Sequence, residues 1–506
     1  MWNQLMKKII INDTVWQTRI AIAQDGVLEN MYYASPADQT LERAYYKGTV
    51  AKVLPGIQTA FVDIGQERAG FLHISEIDRE LAIEKFSKTT QLDEDEPITR
   101  VPRKKLDIAN ILKEGDSILV QVSKEPVYEK GAKLTTCFTL PGRYLVLMPN
   151  IPRIGVSKKI ENRDERHRLR DIVRANLPEG MGAIIRTTSE DRKESDLIKD
   201  INYLVQTWNM IQKRYASAQP KERIYEDLPL TLQIVRDHLD EDVEAVICDN
   251  KETQKNLHNF VKLTAPELTH LIKQYRGKTD LFDFYGVEKQ IREALEKKIH
   301  LKSGGSLILE TTEAMTVIDV NTGRFTGKKN MEDTIFKTNM EAAEEAARQL
   351  RLRNIGGLIV IDFIDMAIAA NRQKVFRFFE KILRERDKFQ SVVLKISEFG
   401  LVQMTRKRSG KTLQQLLTDV CTCCHGLGFI KSVQVDSYEV LRHLSQEMEN
   451  QKPSGTITIQ LNPDVFDYIS KTEYNAILAL EKEFGTKITL SMDKKLSRHS
   501  YHIEKI

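Results

Sequence analysis

Residues 339–366 read NMEAAEEAARQLRLRNIGGLIVIDFIDM: a helical stretch, a pair of glycines, then an apolar run that reaches an aspartate. Counting back from this stretch, Phe336, Met340, Ala343, Ala347 and Leu350 recur at the spacing that lays one face of a helix on a sheet. Gly356 and Gly357 are expected to end that helix, since glycine commonly follows a helix terminus. GLIVIDFIDM, residues 357–366, reads as a buried strand. Upstream, SLILETTEAMTVIDVN (306–321) predicts a hairpin; downstream, ANRQKVFRFFEKILRERD (370–387) predicts a helix and SVVLKIS (391–397) a strand. Alternation of strand and helix indicates an α/β layer beginning near residue 296.

Both apolar strands run into an acid, Asp319 in TVIDVN and Asp362 in VIDFIDM. If the strands are neighbours, a right-handed crossover brings both carboxylates to one edge of the sheet, where open α/β sheets bind ligands. A carboxylate pair with Asn321 two residues on suits Mg²⁺, which takes one or two carboxylates and completes its shell with water and phosphate oxygens. Asp365 is placed to support them, and TGRFTGKKN puts Arg324, Lys328 and Lys329 where a phosphate backbone would run. The alternative is that such acids merely cap turns.

The N-terminal half reads differently. KKIIIN, TRIAIAQ and GVLENMYYA form a small meander with a turn at Asp25-Gly26. YKGTVAKVL, QTAFVDIG, GFLHIS and SILVQVS are further strands, interrupted by a charged loop over 87–105 that contains Pro97 and Pro102. In this barrel Ala60, Val62, Ile64, Leu72 and Ile74 share the aliphatic face, so Phe61, Phe71 and His73 lie together on the other. Exposed aromatics suit base stacking; for His73 alone an ordinary surface histidine is the competing reading. Residues 130–230 mix strands with the helices DERHRLRDIVRANL and SDLIKDINYLVQTWNMIQKRYA, and the chain ends in a small α+β unit.

Composition limits the setting. The 506 residues are too many for one core, and 41% hydrophobic with 29% charged residues describes an ordinary soluble multidomain protein. A net charge of +4 leaves any nucleic-acid affinity to local patches, of which MTRKRSGKT (Arg406, Lys407, Arg408, Lys411) is one candidate and a solvated turn its alternative. The longest apolar stretch is broken by Asp362 and Asp365, so no membrane span is expected. With no signal-peptide core at the start and only five cysteines, a reducing cytoplasm is the expected location. Cys137 and Cys248 sit in strand-like apolar contexts; Cys421 and Cys424 form a Cys-x-x-Cys, two ligands where structural zinc needs four.

Three stretches carry a resemblance. GTVAKVLPGIQTAFVDIGQERAGFLHISEI (48–77) resembles an S1 RNA-binding domain, while VIDVNTGR, the 339–366 block and CTCCHGLG resemble the ribonuclease E/G family of bacterial endoribonucleases, in the same order along nearly the whole chain. The end at Ile506, without a long tail, favours the shorter ribonuclease G branch. The resemblance implies Mg²⁺-dependent hydrolysis of single-stranded AU-rich RNA, in processing of ribosomal RNA precursors and messenger RNA decay. It puts metal-binding aspartates at Asp319 and Asp362, a partner asparagine at Asn321, stacking residues at Phe61 and Phe71 and a basic contact at Lys130. A 5′-monophosphate sensor falls on Gly142, Val146, Arg186, Thr187 and Lys158, the last where the family has arginine. The expected domains are an RNase H-like structural domain (1–40 and 231–295), an S1 domain (41–129), a 5′-sensor region (130–230), a DNase I-like catalytic domain (296–417), a zinc-link (418–430) and a small C-terminal domain (431–506). The zinc-link implies Zn²⁺ held by Cys421 and Cys424 from each of two chains, in a homodimer or homotetramer, with Cys423 a departure. The rival readings are a non-catalytic, ribosome-associated RNA-binding protein on the same scaffold and a deoxyribonuclease.

Overall fold

Asp25 and Gly26 take positive φ (50° and 80°), the conformation a two-residue hairpin turn requires, and join the strands Thr18–Gln24 and Val27–Ala34. The computed structural model describes residues 6–36, 41–78, 107–126, 131–322, 331–397, 400–408, 410–451, 455–498 and 500–505. Lys7–Asp13 completes the meander, and the same sheet then takes Val243–Cys248 and Ile272–Gln274 in parallel alongside it. Ile9, Ile11, Ile20 and Ile22 pack there with Val246 and Leu257. The chain therefore leaves this sheet after Ala34 and returns to its core with the helix Leu230–His238, whose Ile234 and Val235 pack there, before rejoining the sheet at Val243; what lies between Ala34 and that helix is an insertion.

The insertion has two parts. Tyr45–Leu54, Thr59–Asp63, Gly70–His73, Lys133–Thr135 and Ser117–Lys124 close into a five-stranded barrel. Its interior is Val50, Ala60, Val62, Leu72, Val120, Val122 and Leu134. At Gly48 a Cβ would come within 2.4 Å of Val62 Cγ1, so the barrel wall closes only over glycine. One strand, Lys133–Thr135, lies beyond the expected boundary at 129. The second part is a four-stranded sheet of Leu140–Pro141, Leu145–Met148, Gly182–Ile185 and Ile154–Val156, covered by the helices Arg163–Asn176 and Glu194–Ser217.

The α/β layer is a six-stranded sheet in the order Lys298–His300, Ser306–Thr311, Met315–Asn321, Gly357–Asp362, Leu401–Arg406, Ser391–Val393. Only Met315–Asn321 and Gly357–Asp362 run parallel to each other; the other pairings are antiparallel. The helices Met331–Leu352 and Ala369–Arg386 cover one face, against Ile318, Val320, Ile359, Ile361, Val402 and Met404. The other face is open, with Leu358 41% and Val392 55% exposed. Two expectations change. The strand read over 357–366 ends at Asp362 and is buried on one side only, and the strand read over 391–397 spans only Ser391–Val393.

The end of the helix also differs from the expected glycine stop. Asn354 takes the left-handed conformation (φ 52°), its N–H bonding Arg351 O at 3.1 Å while Ile355 N–H reaches back to Leu350 O at 2.9 Å. That pattern is a Schellman cap with asparagine in glycine's place, closed by contact between Ile355 and Leu350 in the core. Gly357, at φ 103°, instead lets the next strand begin beside the Arg408 guanidinium.

The basic run 404–412 is not one surface patch. Arg406 lies on the helix-covered face, where Nε and Nη2 donate to Asp387 at 2.6 and 3.0 Å and Nη1 donates to Ile355 O at 2.6 Å. Strand alternation puts it inward with Val402 and Met404, and Lys407, Arg408 and Lys411 remain outside.

Residues 415–506 form a second compact unit with its own core. Thr456–Leu461 pairs in parallel with Lys487–Met492 and antiparallel with Tyr501–Lys505, and three helices, Val433–Gln451, Pro463–Lys471 and Tyr474–Phe484, complete it. Among the described residues, no helix is long and apolar enough to cross a membrane.

Asp387 and Arg406 are only 2% and 1% exposed. Removing one partner of a buried pair strands the other charge, which typically costs ~3–5 kcal/mol. Asp387→Ala should lower unfolding stability by about that amount in urea denaturation. A change within roughly ±0.5 kcal/mol, as at ordinary surface sites, would contradict the buried pairing.

Candidate active site

Asp319 and Asp362 stand directly opposite each other in the register of the parallel pair. In-register neighbours project to the same face, and here it is the open one: Ile318 and Ile361, one residue back on each strand, point into the helices. Asn321 Nδ2 donates to Asp319 Oδ2 at 2.7 Å, which orients that carboxylate. The Asp362 carboxyl is pushed above its usual range, first by partial burial and then by the negative charges of Asp319 and Asp365. The pair is thus a local concentration of negative charge on an exposed surface. Among the described residues, no group of three or more His, Cys, Asp or Glu is gathered as a metal cage. Two carboxylates flanked by an asparagine are nonetheless the kind of sparse, oxygen-donor set that Mg²⁺ uses.

The loop that follows Asp362 is held from the helix beneath it. Asn339, fully buried, accepts from Ile364 N at 3.1 Å and donates to Ile364 O at 2.8 Å. Glu332 accepts from the N–H groups of Ala367 and Ile368 at 3.1 and 3.2 Å. Sequence reading passed over Asn339; a lone asparagine on the buried stripe of a helix was the available signal. Arg324, Lys328 and Lys329 lie outside the described residues, as does Lys130.

On the barrel, Phe61 and Phe71 are cross-strand partners, both half-buried on the outer face. His73 is on the same face, but its ring is tied locally: Nδ1 accepts from Ser75 N at 3.2 Å and lies 2.9 Å from Ser75 Oγ.

A second polar centre surrounds Arg186. Its Nη1 donates to Gly142 O at 2.7 Å and to Asp237 Oδ1 at 2.8 Å. The turn after Gly142 is fixed by Asp200, a half-buried carboxylate that accepts from the N–H groups of Arg143, Tyr144 and Leu145 at 3.2, 2.8 and 3.2 Å. A Cβ at 142 would fall 2.5 Å from Asp200 Oδ2, so the turn tolerates only glycine. Val146 lies on the adjoining strand, half-buried. Thr187 and Lys158 are exposed where the parallel strands Gly182–Ile185 and Ile154–Val156 both end, so the two sit at one edge with Arg186. Burial alone would raise the Asp237 carboxyl, but Arg186, Arg236 and Lys388 outweigh it and hold the group far below the carboxylate range. Burial pushes the Lys388 ammonium down to about 8, and Lys388 Nζ sits 2.7 Å from His238 Nε2. Asp200 and Asp237 were not legible as site residues, because their partners are remote in sequence.

In the second unit, Cys421 and Cys423 are exposed and Cys424 half-buried, all as free thiols. His425 N–H donates to Cys421 O at 2.8 Å and Leu427 N–H to Cys424 O at 2.9 Å, with positive φ at His425, Gly426 and Gly428 turning the chain tightly. Backbone N–H groups of Cys424 and Cys423, with the Cys424 side chain, hydrogen-bond the Cys421 sulfur and lower its pKa, which favours thiolate. Cys248 is buried at a strand end, while Cys137 is half-buried and lies outside the strands.

Residues 139–409 match the Ribonuclease E/G family, and residues 420–506 match the thioredoxin-like domain of RNase E/G. The chain belongs to the ribonuclease E/G family and is an endoribonuclease. It is 37% identical to Ribonuclease G of Salmonella typhimurium (strain SL1344), over 98% of this chain and 99% of that protein. It is 36% identical to Ribonuclease G of Escherichia coli (strain K12), with the same coverage. Against Ribonuclease E of Escherichia coli (strain K12) it is 33% identical over 99% of this chain, but only 46% of that longer protein.

The polar centre makes stability depend on pH. Burial and Lys388 hold His238 neutral, with a pKa well below 6.5. Below about pH 6.5 the unfolded chain takes up a proton that the folded chain refuses, so stability is lost as the pH falls. Urea midpoints should therefore drop between about pH 7.5 and 5.5, and His238→Gln should flatten that drop. An identical pH slope in the variant would mean His238 titrates normally.

Proposed function

We propose that this endoribonuclease hydrolyses single-stranded, AU-rich RNA at Asp319 and Asp362, with Mg²⁺, leaving 5′-phosphate and 3′-hydroxyl ends. The observation that carries the reading is the in-register carboxylate pair on the open sheet face, oriented by Asn321. Its cellular work would be ribosomal RNA processing and messenger RNA decay in the cytoplasm. The barrel acts as an S1-type RNA grip in which Phe61 and Phe71 stack bases, with His73 and Lys130 as further RNA contacts. The split five-stranded sheet is read as RNase H-like and structural, and the α/β layer as DNase I-like. Arg186, Thr187, Lys158, Gly142 and Val146 would receive a 5′-monophosphate; lysine at 158 supplies point charge without arginine's bidentate grip.

Asp319 and Asp362 would hold the metal, and their mutual repulsion is relieved when a divalent cation neutralises them. The chemistry a bound Mg²⁺ would supply there is activation of water and neutralisation of charge at the phosphoryl oxygens. Asn321 keeps the Asp319 carboxylate in one orientation, so no reorganisation is required as charge develops. Asn339 and Glu332 hold the loop after Asp362 at two points, which keeps that carboxylate on a rigid element.

Cys421 and Cys424 fit half of a zinc site: hydrogen bonds from Cys424 and Cys423 lower the pKa of the Cys421 thiol, and the two cysteines share one tight turn. Two-fold pairing of chains supplies the other half, giving a homodimer, or a homotetramer if dimers pair again.

Asp319→Asn and Asp362→Asn should each lower cleavage of a 5′-labelled AU-rich oligoribonucleotide by roughly a hundredfold or more, while binding measured in EDTA holds or tightens. A 2′-deoxy sugar at the cut should still be cleaved. Full activity in the double variant, or a 2′,3′-cyclic phosphate product, would place the chemistry elsewhere.

Zinc analysis of the purified protein should give about one metal per two chains, as four-ligand coordination from paired Cys-x-x-Cys motifs requires. Replacing Cys421 and Cys424 by serine should release the metal and loosen the dimer in sedimentation. One full zinc in a monomer would refute the sharing.

A further inference from the structure

Beside the carboxylate pair lies a cleft of ≈ 340 Å³, lined by Ile364, Asp365, Met366, Arg372, Ile396, Ser397 and Gly400. It begins two residues beyond Asp362 on one side. On the other it is closed by Gly400, the residue before Leu401, which is the cross-strand partner of Asp362. We propose that this cleft seats the nucleobase of a nucleotide flanking the scissile phosphodiester and that Asp365 selects a base carrying an exocyclic amino group. The proposal rests on Asp319 and Asp362 being the cleavage site.

Size and chemistry agree. The volume is at the lower end of small-ligand pockets, as a single base requires. The lining is mostly polar, with Asp365, Ser397 and Arg372 available to the edge of a base, while Ile364, Met366 and Ile396 back the cleft from the layer's core. The cleft is also built rather than incidental. Asn339 clamps Ile364 through both backbone groups, and Arg372 Nη1 donates to Met366 O and, at 3.4 Å, to Ala367 O. Ser397 closes the far wall, accepting at its Oγ from Leu401 N at 3.2 Å. Gly400 has φ 78°, and a Cβ there would sit 3.0 Å from Asp365 Oδ1, so glycine keeps the carboxylate accessible.

Selectivity follows from what a carboxylate accepts. An ionised Asp365 takes hydrogen bonds from the amino groups of adenine, cytosine or guanine and repels the carbonyl oxygens at the same edge of uracil or hypoxanthine.

Single-turnover cleavage of an oligoribonucleotide with adenosine or inosine at each nucleotide flanking the cut tests this. At one position inosine should lower kcat/KM by roughly five- to hundredfold, and Asp365→Asn, which can donate to a carbonyl, should shrink that ratio toward one. Equal rates for adenosine and inosine at every flanking position would overturn the assignment. So would an Asp365→Asn variant that loses activity while keeping the full ratio. If Asp319→Asn and Asp362→Asn cleave normally, the cleavage-site reading itself has failed. If they are inactive and the wild-type enzyme ignores the inosine, only the base cleft has.

Discussion

The parallel pairing of Met315–Asn321 with Gly357–Asp362 is the constraint on which the active-site geometry depends. A one-residue slip would turn every side chain of one strand to the other face, sending Asp362 into the helix layer and Ile361 into solvent. Such a slip is opposed on both sides. Gly357–Asp362 is also paired over six residues with Leu401–Arg406, and that strand is pinned by Arg406 to Asp387 and to Ile355 O, just before Gly357. A buried ion pair is a poor source of net stability, but it tolerates no alternative register. Here it serves specificity: Arg406 finds both its partners only when Leu401–Arg406 keeps its register against Gly357–Asp362.

The first sheet and the insertion it carries give the same layer its remote contacts. Helix Met331–Leu352 docks on the first sheet through Arg348, which donates to Leu28 O at 2.7 Å, and through the Arg351–Glu29 pair. Lys159, next to Lys158, donates to Asp387 O at 2.7 Å, and Lys388 reaches His238. The segment around Arg186 and the segment that anchors the Asp362 strand therefore share residues 387–388 as a common support.

How far the sequence was legible follows from the range of each signal. The strands around Asp319 and Asp362, the helix between them and the barrel's aliphatic face are local patterns of period 3.6 or 2, and they stand where the spacing put them. The misreadings arose where a remote partner overrode a local rule. Arg406 reads as one cation in a basic run because nothing nearby announces Asp387. Asn354 ends the helix because the Schellman turn accepts asparagine, so the glycines two and three residues later were free for another use. The strand through Asp362 looks doubly buried because Leu358 and Val360 are aliphatic, yet their face is open. Asp200 and Asp237 carry no motif; each is defined by backbone and guanidinium groups tens of residues away.

That same remoteness bears on how Arg186 works. One nitrogen, Nη1, engages both Gly142 O and Asp237, which fixes the plane of the guanidinium before any ligand arrives. A guanidinium presents five donors in a rigid fork, so immobilising it through one nitrogen directs the others without consuming them all. The cost is a half-buried carboxylate at Asp237, and it is met by three cations rather than one, of which Lys388 is itself depressed to about 8, chiefly by burial. On the proposed reading, a phosphate arriving here would meet a guanidinium whose orientation is already set. Lys158, exposed at the same edge, adds charge but no fixed direction. Orientation at this centre comes from Arg186 and its anchors, and Lys158 contributes attraction alone.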